Sequence, residues 1–275
     1  MYIIPPAFKD FISPDCNRAC FIQDYLKAGG LGTSIIHLEG KNHIFVNFPK
    51  TQYNPMFRIK TVIAHYDRIG IGANDNSAAV FCLMEWAVQI FKACGAVPGG
   101  TAAFHNIRLI FTDGEELGKE GGVKEQGAFP LAQEFLRLGI KNDDIFVFDC
   151  MGRGDVPVLA QTIVPPKVST RFLKDFADLE ERAKILLQTA SGGHWFCLPC
   201  NYSDNASFIA NGLPAVAITL LPSEEVPLVT QGKQPKTWQL FHTDGDNLDS
   251  LDPASFELFH NILNLLANMK TPAAS

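Results

Sequence analysis

Apolar and β-branched residues fall along this chain in short runs, each closing on polar positions. The runs at His43–Phe48, Thr61–Ala64, Ile107–Phe111, Ile145–Phe148 and Ala215–Leu220 have the length and content of buried strands. Between them the period becomes helical. Asn76–Ala93 is apolar nearly all round, as a core helix is, and Gly95 offers a stop. Gly127–Leu138 and Phe172–Thr189 are amphipathic. Ser255–Met269 sets Phe256, Phe259, Leu263 and Leu266 on one stripe, with Asp252 as N-cap and Pro253 at the first helical position. Strands alternating with helices predict an α/β sandwich around a mainly parallel sheet, in a single domain over residues 1–275. Pro165–Ser169 and Pro222–Lys236, rich in proline and polar residues, read as surface loops. Neither reads as a domain linker, and the second is placed to border a pocket.

Composition narrows the picture. With 47% hydrophobic and 19% charged residues the chain can build a sizeable core, and a formal charge of −6 gives no reason to propose nucleic acid or an anionic membrane as partner. The N-terminal segment lacks the basic-then-apolar pattern of a secretory signal, and no run reads as a bilayer span. Seven cysteines, an odd number, do not read as a disulfide framework, so a cytoplasmic location is expected.

The chemistry lies where the apolar runs end. His65 and Asp67 follow TVIA, Glu115 and Glu116 follow IRLIFTDG, and Asp149 follows IFVF. Asp75, in GANDN, precedes the apolar helix, and His242, in FHTDGDN, precedes the last one. Sites in open α/β sheets gather at the carboxyl ends of strands. His65, Asp75, Glu116, Asp149 and His242 offer the nitrogen and oxygen donors that zinc uses. These donors satisfy two ions, roughly 3.5–4 Å apart, if one aspartate bridges them. Adjacent glutamates diverge, so one of Glu115 and Glu116 can bind metal while the other faces the water as its proton acceptor. Asp67 is spaced to accept from the second ring nitrogen of His65. Taken singly, each residue has a plainer reading: His65 a core histidine, Asp75 an N-cap, Glu115 and Glu116 solvated charges, His242 a surface residue. The whole set outweighs those readings. Tyr202 is a weaker candidate, as a hydrogen-bond donor to a developing oxyanion. Cys197 and Cys200, in CLPC, read as buried or pocket-lining side chains rather than as half of a zinc site with Cys16 and Cys20. His194 reads equally as a pocket or a loop residue. There is no GxSxG elbow and no Walker loop.

In these motifs the chain resembles the di-zinc aminopeptidase family, metallopeptidase family twenty-eight, which also contains glutamate carboxypeptidase II and the glutaminyl cyclases. HxD, GANDN, EE, a strand-ending aspartate, SDxxxF and HT occur in that family's order, from about His43 to the C-terminal helix. The resemblance implies a three-layer α/β/α sandwich around a mixed, mainly parallel sheet. It implies that Asp75 bridges two zinc ions, with His65 and Asp149 on one and Glu116 and His242 on the other. Glu115 would be the general base, Asp67 would orient His65, and a cis peptide would join Asp75 to Asn76. The implied activity is a zinc aminopeptidase acting on a peptide or small aminoacyl substrate. The alternative is glutaminyl cyclisation with one zinc, although cyclases usually carry Trp where Phe241 stands. A non-catalytic binding module is disfavoured, because no donor is missing. SDNASF has Asn205 where many aminopeptidases have His, a variable position. The extra domains of the carboxypeptidase branch are absent from this sequence.

Overall fold

Four of the five apolar runs lie side by side as the parallel centre of one sheet, and the fifth flanks them. The computed structural model describes residues 2–95, 103–164 and 167–273. In chain order the elements begin with α1 (Pro6–Ile12), α2 (Arg18–Ala28), β1 (Gly32–Leu38), β2 (Lys41–Asn47) and β3 (Lys60–His65). A π-helical turn (Ala73–Ala78) then leads into α3 (Ala79–Gly95) and β4 (Ile107–Thr112). After these come the short α4 (Gly118–Gly121), α5 (Ala128–Arg137), β5 (Asp144–Phe148), β6 (Val156–Ala160), α6 (Thr170–Ala190) and β7 (Phe196–Leu198). The chain closes with α7 (Asn205–Ala210), β8 (Ala215–Leu221), α8 (Val226–Thr230), α9 (Lys236–Leu240) and α10 (Pro253–Asn268).

The eight strands run in the order β1-β2-β4-β3-β5-β8-β6-β7. Pairing is parallel from β4 through β8 and between β6 and β7, and antiparallel elsewhere, so the sheet is mixed. Every residue of β3 and β5 is buried, as strands covered on both faces require. Helices flank the sheet in two groups. Helix α10 packs on α3 and α6, while α5 packs on α7, which meets β5 and β8. This is the expected three-layer sandwich. The stripe Phe256, Phe259, Leu263 and Leu266 is wholly buried, with Phe259 5.0 Å from Phe148 ring to ring. Asp252 caps α10 through the Ala254 N–H. At the other end Lys60 Nζ donates to the Ala267 and Met269 carbonyls, tying β3 to the helix terminus.

Some expectations change. The predicted helix from Asn76 begins as a turn, with Asp75 and Asn76 at non-helical angles and the Asn76 side chain bonded to Phe148 O and Cys150 N at the end of β5. Pro165 and Pro166 lie outside the described residues. Pro222–Lys236 contains α8, which Pro227 opens from its first turn. Ala73–Gly95 spans 23 residues and is long and apolar enough to cross a membrane by length and composition, which corrects the expectation that no run reaches that length. Here it is a core helix in contact with β3, α2 and α10.

Candidate metal centre

Parallel register brings the strand ends level. His65 pairs with Thr112 across β3 and β4, and Asp149 leaves β5 with its N–H bonded to Ile218 O. His65 Nε2 thereby lies 3.4 Å from Asp75 Oδ1 and 3.5 Å from Asp149 Oδ1. His242 Nε2 lies 2.8 Å from Glu116 Oε2 and 3.3 Å from Asp75 Oδ2. His65, Asp75 and Asp149 form one triad and Asp75, Glu116 and His242 a second, with donor atoms within 4.8 Å of one another in each. Asp75 belongs to both.

The surrounding loops hold this bridge. The peptide between Asp75 and Asn76 is cis. Asp246 accepts from the N–H groups of Asn74 and Asp75, at 2.7 and 3.0 Å. Asn76 donates to Phe148 O and accepts from Cys150 N, so the turn is bound to the end of β5. Asn74 accepts from Gly152 N at 2.7 Å. Gly72 has φ +58 and a Cβ there would meet Asp75 O at 2.4 Å, so glycine alone fits. Cys150 and His242 sit at φ +58 and +60, left-handed angles that cost a non-glycine residue about 1 kcal/mol each. Asp75 makes its contacts with the histidines, beyond the N-cap role its position suggested.

Asp67 does more than its spacing indicated. Its backbone carbonyl lies 3.2 Å from His65 Nδ1 and its Oδ1 3.5 Å. Its two oxygens also accept the N–H groups of Glu115 and Glu116, each at 3.1 Å, which sets where both glutamates point. Glu115 Oε1 accepts from Gln126 at 2.8 Å. Beside β4, on β2, His43 Nδ1 accepts from Asp113 N, and burial holds its pKa down at about 4.

Without an ion the charges conflict. Burial, reinforced by Asp149 and Asp204 against the opposing His65, pushes the Glu115 carboxyl well above its ordinary range. Burial and then Asp75 raise Glu116 to about 7. Burial works to raise Asp75 too, but the bonds to His242 and His65 hold it well below the carboxylate range. For His65 burial works downward and is overcome by Asp149, Asp67 and Asp75. His65 Nε2 and Glu116 Oε1 are buried with no hydrogen-bond partner. Orphaned donor atoms amid converging carboxylates fit a divalent cation, which supplies the missing partner and the missing charge together.

Asp75, Glu116, Asp149 and His242 of the triads form one wall of a cavity of about 640 Å³, with Glu115, Cys150 and Lys119, while His65 lies behind them. Apolar residues such as Ala217, Ile218, Trp238 and Phe241 and polar ones such as Thr219 and Gln239 line the rest. Tyr202 also lines it, but its hydroxyl donates to Gly118 O at 2.8 Å, and an oxyanion role would require exchanging that bond. His194 is not among the lining residues and packs edge-on to Phe196. All seven cysteines are unbridged, and Cys16, Cys20, Cys197 and Cys200 form no candidate metal group among the described residues.

Three residues went unrecognised in the sequence. Asp204, in SDNASF, is fully buried, accepts from Thr112 Oγ1, and is raised to about 7 by burial. Asp246 is raised to about 6 by burial. Lys119 Nζ lies 2.8 Å from His242 Nδ1. The two aspartates were visible only as extra carboxylates inside motifs already noted, and Lys119 carried no signal.

An α/β sandwich that collects two overlapping histidine–carboxylate triads at its strand ends has the build of a metal-dependent hydrolase. Residues 51–267 match the model of peptidase family M28, and the chain belongs to that family. Among solved structures it is similar to the LapA aminopeptidase of Legionella pneumophila, with a TM-score of 0.64, 17% identity, and 97% of this chain and 75% of that one covered. It is similar to a glutaminyl cyclase of Macrostomum lignano, with a TM-score of 0.63, 18% identity, and 95% and 87% covered. It is similar to BSAP, a zinc aminopeptidase from Bacillus subtilis, with a TM-score of 0.57 and 18% identity. That match covers 82% of this chain and 48% of the Bacillus enzyme, so the chain spans about half its length. At these identities the likeness establishes the fold. A search of curated proteins returned no match.

Proposed function

We propose that this chain is a zinc-dependent aminopeptidase that hydrolyses the N-terminal peptide bond of a peptide or small aminoacyl substrate. The observation that carries the reading is Glu115, a half-buried carboxylate lining the same cavity as Asp75, the residue that the two triads share. His65, Asp75 and Asp149 would hold one zinc ion, and Asp75, Glu116 and His242 a second. Bound there, zinc would supply Lewis-acid polarisation of the scissile carbonyl and acidify water. Glu115 takes the proton from the attacking water and passes it to the departing amine. Gln126 holds the carboxylate in place during both transfers. Asp67 fixes the His65 ring and the peptide carrying Glu115 and Glu116. The carboxylates at the metal wall are suited to an α-amino group, which favours removal of a terminal residue. The odd number of cysteines, which do not form a disulfide framework, supports a cytoplasmic location.

Glu115→Gln tests the assignment. The variant is expected to keep its zinc, measured by metal analysis, while turnover of aminoacyl anilides falls about 10²–10⁴-fold. Full activity would refute Glu115 as the base.

Glutaminyl cyclisation is the second reading. It is supported by the likeness to the Macrostomum glutaminyl cyclase, whose TM-score of 0.63 is level with the 0.64 of the LapA aminopeptidase. Ring closure of a glutaminyl peptide, with one zinc and no released amino acid, would select it.

A further inference from the structure

One group of zinc-type donors lies away from the strand ends. Cys82 and Glu85 stand three positions apart on α3 and so share a face of it. Helix α10 packs on α3 and brings His260 to that face. One ligand atom from each of the three residues lies within 4.8 Å of the other two. Thiolate, imidazole and carboxylate are the donors that zinc takes, and at its usual bond lengths tetrahedral donors stand roughly 3.3–3.6 Å apart. His260 Nε2 and Glu85 Oε2, 3.2 Å apart, are already close to that spacing.

Hydrogen bonds account for only part of this group. The Tyr2 hydroxyl donates to Glu85 Oε2 at 2.6 Å and its ring stacks on Phe256, which fastens the N-terminal segment to both helices. His260 Nε2 reaches the same oxygen. Among the described residues nothing bonds to Glu85 Oε1 or to the Cys82 thiol, which is wholly buried and unbridged. His260 Nδ1 is buried without a partner. An anchor for Tyr2 needs one carboxylate oxygen. It leaves the thiol, the second oxygen and a ring nitrogen unanswered, and a cation is the partner that all three donor types have in common. A cavity of about 420 Å³, lined in part by Tyr2, Glu85, Gln89 and His260, opens on the group with Cys82 behind it. Water has room there to complete a coordination shell.

We propose that Cys82, Glu85 and His260 form a separate zinc site, with water from this cavity as fourth ligand, and that zinc bound there clamps α3 to α10. On binding, the Cys82 thiol gives its proton to solvent. Thiolate and ionised Glu85 then balance the two charges of the ion, and His260 binds as the neutral ring. Helix α3 leads out of the turn that carries Asp75, so the clamp steadies the helix behind the strand-end centre. None of the three ligands lines the large cavity, and the site does not depend on the aminopeptidase reading.

The test uses the whole chain, stripped of metal and titrated with cadmium, which absorbs in the ultraviolet when bound to thiolate but not when bound to histidine and carboxylate alone. Wild type is expected to show that absorption. Cys82→Ser and His260→Ala should both lose it at the same cadmium concentration. Loaded with zinc instead, wild type should hold about one more ion per chain than His260→Ala, measured by metal analysis. Cys82→Ser alters a buried position, whereas His260 is partly exposed, so His260→Ala keeps the test open if the serine variant fails to fold. A band of wild-type size in either variant would trace to another thiol, such as Cys20 or Cys150, and would overturn the inference. So would a wild type without the band, or equal zinc contents in wild type and His260→Ala. Each of these results leaves the strand-end centre untouched. A chain that takes up zinc at Cys82 alone would overturn the strand-end centre and leave this site standing.

Discussion

His65 and His242 are chemically the same ligand on different ground. His65 ends β3, bonded between β4 and β5, and is 1% exposed. His242 stands in a loop at φ +60, its side chain 21% exposed, against an exposed lysine. Sheet register places the first, whereas loop packing places the second. Strand ends hold ligands precisely because their backbones are fixed by hydrogen bonds on both sides, whereas a loop ligand is as precise as its supporting contacts. Asp75 couples the two halves, and its own support is split the same way, with Asn76 bound to the end of β5 and Asp246 reaching in from the His242 loop.

That contrast can be broken most severely at Asp67, which holds His65 and the peptide of both glutamates. Asp67→Ala should weaken zinc at the strand-borne position by about 100-fold, with a smaller loss at the other position through Glu116. Equal losses at the two, read by titration, would mean that the halves are not supported separately.

Acid should also act on the strand-borne half. Burial depresses the His43 pKa to about 4, below the ordinary value of about 6.5 for an unfolded histidine. Between those values the unfolded chain binds the extra proton. The stabilisation from keeping His43 neutral is therefore complete above about pH 6.5 and is lost as the pH falls to about 4. The loss amounts to about 3 kcal/mol. Urea unfolding of metal-free protein at several pH values should show this limb, and His43→Asn should flatten it. An unchanged limb in that variant would place the acid sensitivity elsewhere.

The smallest expected effect is at Asp246, where Asn keeps one carbonyl acceptor for the Asn74 and Asp75 N–H groups. Asp246→Asn should weaken zinc about tenfold at both positions alike, because it acts on the shared ligand. A loss confined to the His242 position would show that Asp246 supports its own loop and not the bridge.

The parts legible in the sequence are those in which local pattern and burial agree. The centre of the sheet was read from continuous apolar runs, since parallel strands covered on both faces have no polar alternation to lose. The two edge strands, β1 and β7, and β6 beside the second of them were missed. β1 is half-exposed along its length, β7 has three residues, and β6 contains Pro157, which argues against a strand until it is seen paired with Leu220. Among the site residues, the two triads and Glu115 were legible because donors of one chemistry recur at strand ends. Asp204 and Lys119 were not, because their meaning lies in neighbours about ninety or more positions away, Thr112 at |i−j| of 92 and His242 at 123.

Composition, apolar runs and motif order were enough to establish the α/β class, the chemistry of the donors and their attachment to strand ends, since those follow from side-chain type and local period. Which nitrogen of each histidine faces an acceptor, and whether a lysine stands behind it, depended on how separate loops pack over the finished sheet. Hydrogen-bond direction is a property of two groups at a distance and an angle, and no residue carries it alone.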